Sequence, residues 1–133
     1  MSIPRKKPEV ITPHLVTGQY GETIAADYLT AKGWRIAARN WREGRSEIDI
    51  IAWTPEDILV FVEVKTRTGE GQGYGGPEEA VDARKQDQMM RAAGAYMESI
   101  DYGWEIRFDV LAVILGKGKV AEIRHVEDAF FPM

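Results

Sequence analysis

The chain alternates between two hydrophobic rhythms. From Gly18 to Lys32 apolar residues return on a helical period: Tyr20, Ile24 and Tyr28 recur every fourth residue, with Ala25 and Leu29 alongside. Gly33 follows as a helix stop. The rhythm then shortens. Trp34–Asn40, Glu47–Trp53 and Ile58–Thr66 read as three strands, the second rich in isoleucine and the third apolar at nearly every early position, as a central strand is. Thr54-Pro55-Glu56-Asp57 is a turn by composition. Five glycines fall in the eight residues from Gly69 to Gly76, which predicts a mobile loop. Pro77 is placed to open a long helix that runs to about Ser99. Trp104–Leu115 and Lys119–Val126 complete the pattern as strands around a tight Gly116-Lys117-Gly118 turn.

The order is αβββαββ. Short turns allow the first three strands an antiparallel meander, and the helix between strands three and four predicts a parallel crossover. The expected fold is therefore α/β, a mixed five-stranded sheet flanked by helices. Residues 1–14, with three prolines and little periodicity, read as a flexible tail. Residues 15–133 read as one domain.

Composition narrows the chemistry. The chain lacks cysteine, so disulfides, thiol catalysis and cysteine-bound zinc are excluded, and a reducing cytoplasmic location is expected. His14 and His125 show no metal spacing. No apolar run approaches the ~20 residues of a membrane span, and no membrane partner is expected. The net charge of −4 speaks mildly against nucleic acid. Its distribution speaks the other way: Lys32, Arg35, Arg39, Arg42 and Arg45 face only Glu43 in their stretch, which makes Arg39, Arg42 and Arg45 candidate phosphate contacts beside the plainer reading of a solvated polar face.

The informative feature is charge inside buried strands. Strand alternation puts Phe61, Glu63 and Lys65 on one face and Val60, Val62 and Val64 on the other. If the 54–57 turn closes a hairpin with Trp53 opposite Leu59, Asp49 faces Glu63 and Glu47 faces Lys65. Directly opposed Cβ atoms lie about 5 Å apart. Two carboxylates that close need a shared proton or a cation between them, and a divalent ion with oxygen ligands near ~2.1 Å fits the gap. Glu22 lies within about 20° of Leu29 around the first helix, so it too is aimed at the sheet. Carboxylate-held cations activate water and neutralise charge in phosphodiester hydrolysis, and an adjacent lysine such as Lys65 stabilises the charged phosphorus centre. Plainer readings stand beside these. Glu47 could simply pair with Lys65, Glu22 could solvate its helix, the set could be an inert polar patch, and Asp109 could pair with Arg107, Lys65 or Arg67 as a supporting residue.

Asp49 followed by Glu63-Val64-Lys65 resembles the D…(D/E)-x-K signature of restriction-endonuclease-like nucleases. The surrounding words are more specific. Gly21-Glu22, Ala25, Tyr28-Leu29, Gly33, Asn40, Glu47-Ile48-Asp49-Ile50-Ile51-Ala52, Phe61 to Arg67, Ala80-Val81, Lys85 and Arg107-Phe108-Asp109-Val110 are similar to the YraN-like family of predicted endonucleases, over residues 18 to 115. That resemblance implies the restriction-endonuclease-like αβββαβ core and a relation to archaeal Holliday-junction resolvases. It also implies Glu22, Asp49 and Glu63 as ligands of Mg2+ or Mn2+, catalysis by Lys65 with Asp49 and Glu63, and a helper role for Lys85, beside the plainer reading of a surface lysine; Glu47 and Arg67 are expected to support the site. Ser46, where many relatives carry glycine, and the long N-terminal tail depart from the family pattern.

Two functions from different classes follow. One is a metal-dependent endonuclease acting on DNA, branched or structured, with a homodimer as one expected assembly. The other is a nuclease-like fold that binds nucleic acid or protein without cutting. A small-phosphoester enzyme is disfavoured, because the Gly69–Gly76 stretch lacks a P-loop ending; that stretch reads instead as a flap able to close on a long substrate.

Overall fold

The structure is a computed structural model that describes residues 13–68, 81–117 and 119–130. Residues 1–12 of the expected tail, the Gly69–Gly76 stretch and Pro77 lie outside the described residues.

Among the described residues seven elements follow in the expected order: α1 (Pro13–Ala31), β1 (Arg35–Glu43), β2 (Ser46–Trp53), β3 (Leu59–Thr68), α2 (Ala83–Ser99), β4 (Ile106–Gly116) and β5 (Lys119–Val126). They form one five-stranded sheet in the order β1-β2-β3-β4-β5. Only the β3–β4 pair, joined through α2, is parallel; the other three are antiparallel.

Several boundaries differ from those read in the sequence, for local reasons. Helix α1 begins at Pro13, five residues before Gly18 and inside the expected tail. Strand β1 runs on to Glu43, because it turns directly into β2 through Gly44, whose φ of 58° opens a tight hairpin. Helix α2 is described from Ala83, where the Asp82 side chain accepts from the Lys85 backbone N–H and caps it, and its expected opening at Pro77 lies outside the described residues. Strand β4 begins two residues late, at Ile106.

The turns obey their composition. Gly33, with φ of 88°, ends α1: its N–H reaches Thr30 O, the Trp34 N–H reaches Leu29 O, and Trp34 folds back into the core. The Thr54 hydroxyl accepts from the N–H groups of Glu56 and Ile58, which closes the β2–β3 turn.

A helix covers each face of the sheet. Ala25 and Leu29 of α1 pack on Ile50, Val60, Val62, Leu111 and Val113; Met89 and Ala92 of α2 pack on Ile51, Phe61, Phe108 and Val110. Each large apolar side chain so buried contributes roughly 1.5–3 kcal/mol. Gly21 brings α1 unusually close to the sheet. A Cβ there would lie 1.8 Å from Thr66 Oγ1, so no side chain fits between the helix and the end of β3.

On the α1 face a second group of charges is buried. Asp109, fully enclosed, accepts from Arg107 Nε at 2.8 Å and Nη2 at 2.9 Å, from His125 Nε2 at 2.8 Å, and from the Asp128 N–H at 2.9 Å. Burial pushes its carboxyl upward, but the bonds from His125, Arg107 and Asp128 together hold it below the ordinary carboxylate range. Of the partners expected for Asp109, Arg107 is the one that binds it.

Two stability effects follow. Asp109→Ala strands Arg107 and His125 and should cost about 3–5 kcal/mol in urea unfolding. Gly21→Ala should cost about 1–3 kcal/mol through overpacking, and Thr66→Ala in the same chain should recover part of it.

Candidate metal and phosphate site

Strands β2 and β3 pair in the register expected from the hairpin: Trp53 opposite Leu59, Ala52 opposite Val60, Ile51 opposite Phe61, Ile50 opposite Val62. The next pair would be Asp49 with Glu63, and there the ladder stops. The Asp49 carboxylate takes the place of a backbone partner, accepting from the Val64 N–H at 2.8 Å. Side-chain alternation breaks at the same point. Ile48 packs under α2 while Ile50 packs under α1, although strict alternation would place both on one side. Asp49 thus sits where β2 leaves β3.

Its carboxyl meets that of Glu63. Burial, then a hydrogen bond with Glu63, then the Glu63 charge push the Asp49 carboxyl up to about 8, against the opposing pull of the Val64 N–H and of Lys85. Asp49 therefore keeps its proton at neutral pH. Glu63 is only 5% exposed. Lys85 Nζ, from α2, lies 3.3 Å from Glu63 Oε2. That contact is an ion pair without hydrogen-bond alignment, and Oε2 is left with no hydrogen-bond partner.

Glu22 approaches from α1. It is half-buried, as its helical position implied. Burial and the nearby Asp49 raise its carboxyl above the ordinary range, Glu47 adds to this, and a hydrogen bond from the Asn40 side chain and the charge of Arg39 oppose it. Among the described residues no three His, Cys, Asp or Glu side chains stand together closely enough to hold a metal ion. The close pair is Asp49 and Glu63, with Glu22 at its edge.

The remaining candidates separate. Lys65 follows Glu63 on β3, half-buried. It does not pair with Glu47; that carboxylate binds Arg42, its partner across the β1–β2 ladder, at 3.0 Å. The reason is proximity: the β2–β3 ladder has already ended at this level, whereas the β1–β2 ladder continues to the hairpin. Arg39 donates to Thr23 Oγ1 at 3.3 Å, and Arg45 stands exposed at the hairpin turn. Arg67 is exposed and donates to Thr66 O, one residue away.

Two participants carried no assigned role in the sequence: the Val64 N–H and Asn40. A backbone donor leaves no sequence signal. Asn40 left a faint one, since asparagine is among the few residues that accept a left-handed backbone, and its φ is 52°.

No helix among the described residues is long and apolar enough to cross a membrane. Among solved structures, that of Pyrococcus furiosus SfsA in complex with Ca2+ is similar at 17% identity and a TM-score of 0.32, over 84% of this chain and 62% of that one, a likeness too slight to bear on the site. Sequence relatives are far nearer. A UPF0102 protein of Chlorobaculum parvum is 50% identical over 83% of this chain and 84% of its own length. One from Rhodococcus jostii is 46% identical over 88% of this chain and 98% of its own. Another, from Bacteroides thetaiotaomicron, is 43% identical over 90% and 95%. The family model described as uncharacterised protein family UPF0102 matches residues 21–113, a span that holds Glu22, Asp49, Glu63, Lys65 and Lys85, and the chain belongs to this family, the YraN-like one.

Proposed function

We propose that this protein is a divalent-metal-dependent endonuclease that hydrolyses phosphodiester bonds in DNA, branched or structured DNA in particular, with Asp49 and Glu63 as its metal-holding pair. One observation carries this reading: the half-buried Asp49 carboxyl and the buried Glu63 carboxyl meet where β2 and β3 part, and Glu63 keeps an oxygen without a hydrogen-bond partner. Acids forced together this way are costly unless a positive charge lies between them. In the metal-free chain the proton kept by Asp49 fills that role. Mg2+ or Mn2+, hard cations that prefer carboxylate oxygens, suit the same donor set.

The residues divide the work. Asp49 and Glu63 would hold the ion, with Glu22 supplying a third carboxylate from α1. A bound divalent cation supplies charge neutralisation at the phosphate and a more acidic water. The Val64 N–H fixes one oxygen of Asp49, and so its orientation. Lys85 holds Glu63 from the α2 side. This leaves Lys65 as the cation to offset charge developing on the phosphate oxygens. Arg45 at the hairpin turn, with Arg39 and Arg42 on β1, would meet flanking DNA phosphates.

The alternative, a module that binds nucleic acid or protein without cutting, draws on the net charge of −4 and on the prior engagement of Arg39 and Arg42 by Thr23 and Glu47.

With Mg2+ or Mn2+ the protein should cleave four-way-junction or flap DNA, and Asp49→Ala and Glu63→Ala should each lower the rate at least about a hundredfold. Undiminished cleavage by both variants would sink the assignment. Salt-sensitive DNA binding with no cleavage would favour the module. A second measurement concerns pH. The ion must displace the proton that Asp49 retains up to about 8, so manganese affinity should rise as pH rises toward that value, by about tenfold per unit, and level off above it. The metal-free fold should behave oppositely. A carboxyl raised in the folded state stabilises below its ordinary value and loses that contribution as pH climbs through about 8. The unfolding midpoint of the metal-free protein should therefore fall between about pH 4 and pH 8, and Asp49→Asn should flatten the fall.

A further inference from the structure

Helix α2 has a flank that its core packing does not use. Met89, Ala92 and Ala93 are buried against the sheet. Beside them Arg84, Gln88, Arg91 and Glu98 recur at spacings of three, four and seven, which places them on one stripe of the helix. That stripe looks onto the β1–β2 hairpin. Between the two lies a groove of about 730 Å3, lined by Gln88, Arg91 and Glu98 from α2 and by Glu43, Arg45 and Ser46 from the hairpin.

The groove begins beside the proposed metal pair. Lys85, one turn before Gln88, stands 3.3 Å from Glu63 Oε2, and the exposed Arg84 is its neighbour. Charge along the stripe is graded. Arg84, Lys85 and Arg91 make the half nearer the site basic, and Glu98, two turns beyond Arg91, closes the far end with an acid. Arg45 and Arg91 are exposed, and neither guanidinium has an ion-pair or hydrogen-bond partner among the described residues. Glu43 and Glu98 share the groove with them and Asp87 lies one turn before Arg91, yet none of these pairs with either arginine. Each arginine therefore keeps its whole fork of donors for an incoming anion, and that fork matches the oxygens of a phosphate.

We propose that this groove carries the phosphate backbone of a bound DNA strand away from the metal pair, with Arg91 and Arg45 gripping it from opposite walls. This rests on the phosphodiester reading above and deepens it. Six residues of helix separate Lys85 from Arg91, about 9 Å along the axis. Phosphates of one strand advance about 3.4 Å each along a duplex. Arg91 thus meets a phosphate about two to three nucleotides from the one held at Asp49 and Glu63.

The test is binding of a fluorescently labelled four-way junction, read by anisotropy in EDTA so that the metal plays no part. Arg91→Gln should weaken binding about tenfold. Arg45→Gln combined with it should weaken binding further and lower the slope of log affinity against log salt by about 1.8. Unfolding midpoints should stay in place, because both side chains are exposed and support no partner. Glu98→Gln, at the acidic end, should change affinity by less than about twofold. A scan of uncharged methylphosphonates along one strand should find a position that weakens wild type and leaves Arg91→Gln unaffected, since the two changes remove one contact. With metal present, Arg91→Gln should raise KM and spare kcat. An unchanged affinity and salt slope in the double variant would overturn the proposal. So would a wild-type protein that does not bind the junction, or one from which polyglutamate displaces DNA at equal charge, the mark of a site for an acidic protein segment. Arg91-dependent binding in a protein that takes up no Mn2+ would remove the metal reading and leave the groove standing.

Discussion

The candidate site depends on one constraint, the meeting of Asp49 and Glu63 at the end of a buried ladder. Neither carboxyl can move away freely. Glu63 is fixed on the central strand, with Lys85 against one oxygen. Asp49 is fixed by the Val64 N–H, which it accepts in place of a backbone partner. Two acids held so near cannot both ionise without compensation, and burial sharpens the repulsion. The proton kept by Asp49 is the physical expression of that conflict, and it makes this corner of the fold responsive to pH and to cations.

The rest of the architecture brings other elements to that point. Helix α1 lies close because Gly21 leaves room against Thr66, and this contact carries Glu22 to the edge of the pair. Helix α2 crosses the opposite face and delivers Lys85 from its first turn. Charge is therefore supplied from both layers to the place where the sheet opens. Asp109 is a contrast within the same fold. It is more deeply buried than Glu63, yet Arg107, His125 and the Asp128 N–H satisfy it fully, and it sits below the ordinary carboxylate range. Burial alone does not mark a reactive acid; unsatisfied burial does.

Where the reading of the sequence failed, it failed at ends and at exceptions. Strand β4 begins at Ile106 rather than Trp104, and β1 runs on to Glu43 because Gly44 turns it directly into β2. The expected Glu47–Lys65 pair assumed that the β2–β3 ladder continues past Asp49. It does not, and Glu47 turned to Arg42 instead. Strict alternation along β2 was likewise broken between Ile48 and Ile50.

The sequence by itself determined the element order, the mixed five-stranded sheet, the β2–β3 register and the convergence of Asp49 with Glu63. These follow from periods of 2 and 3.6 residues and from short turns, all of which are local properties of the chain. Tertiary structure decided where the ladder ends, which lysine reaches Glu63, and which cation pairs with Glu47. Those outcomes turn on non-local packing: a helix drawn close at one glycine, a strand bent at one asparagine, and a carboxylate that replaces a backbone bond. No local period encodes them, because each depends on the distance between elements far apart along the chain.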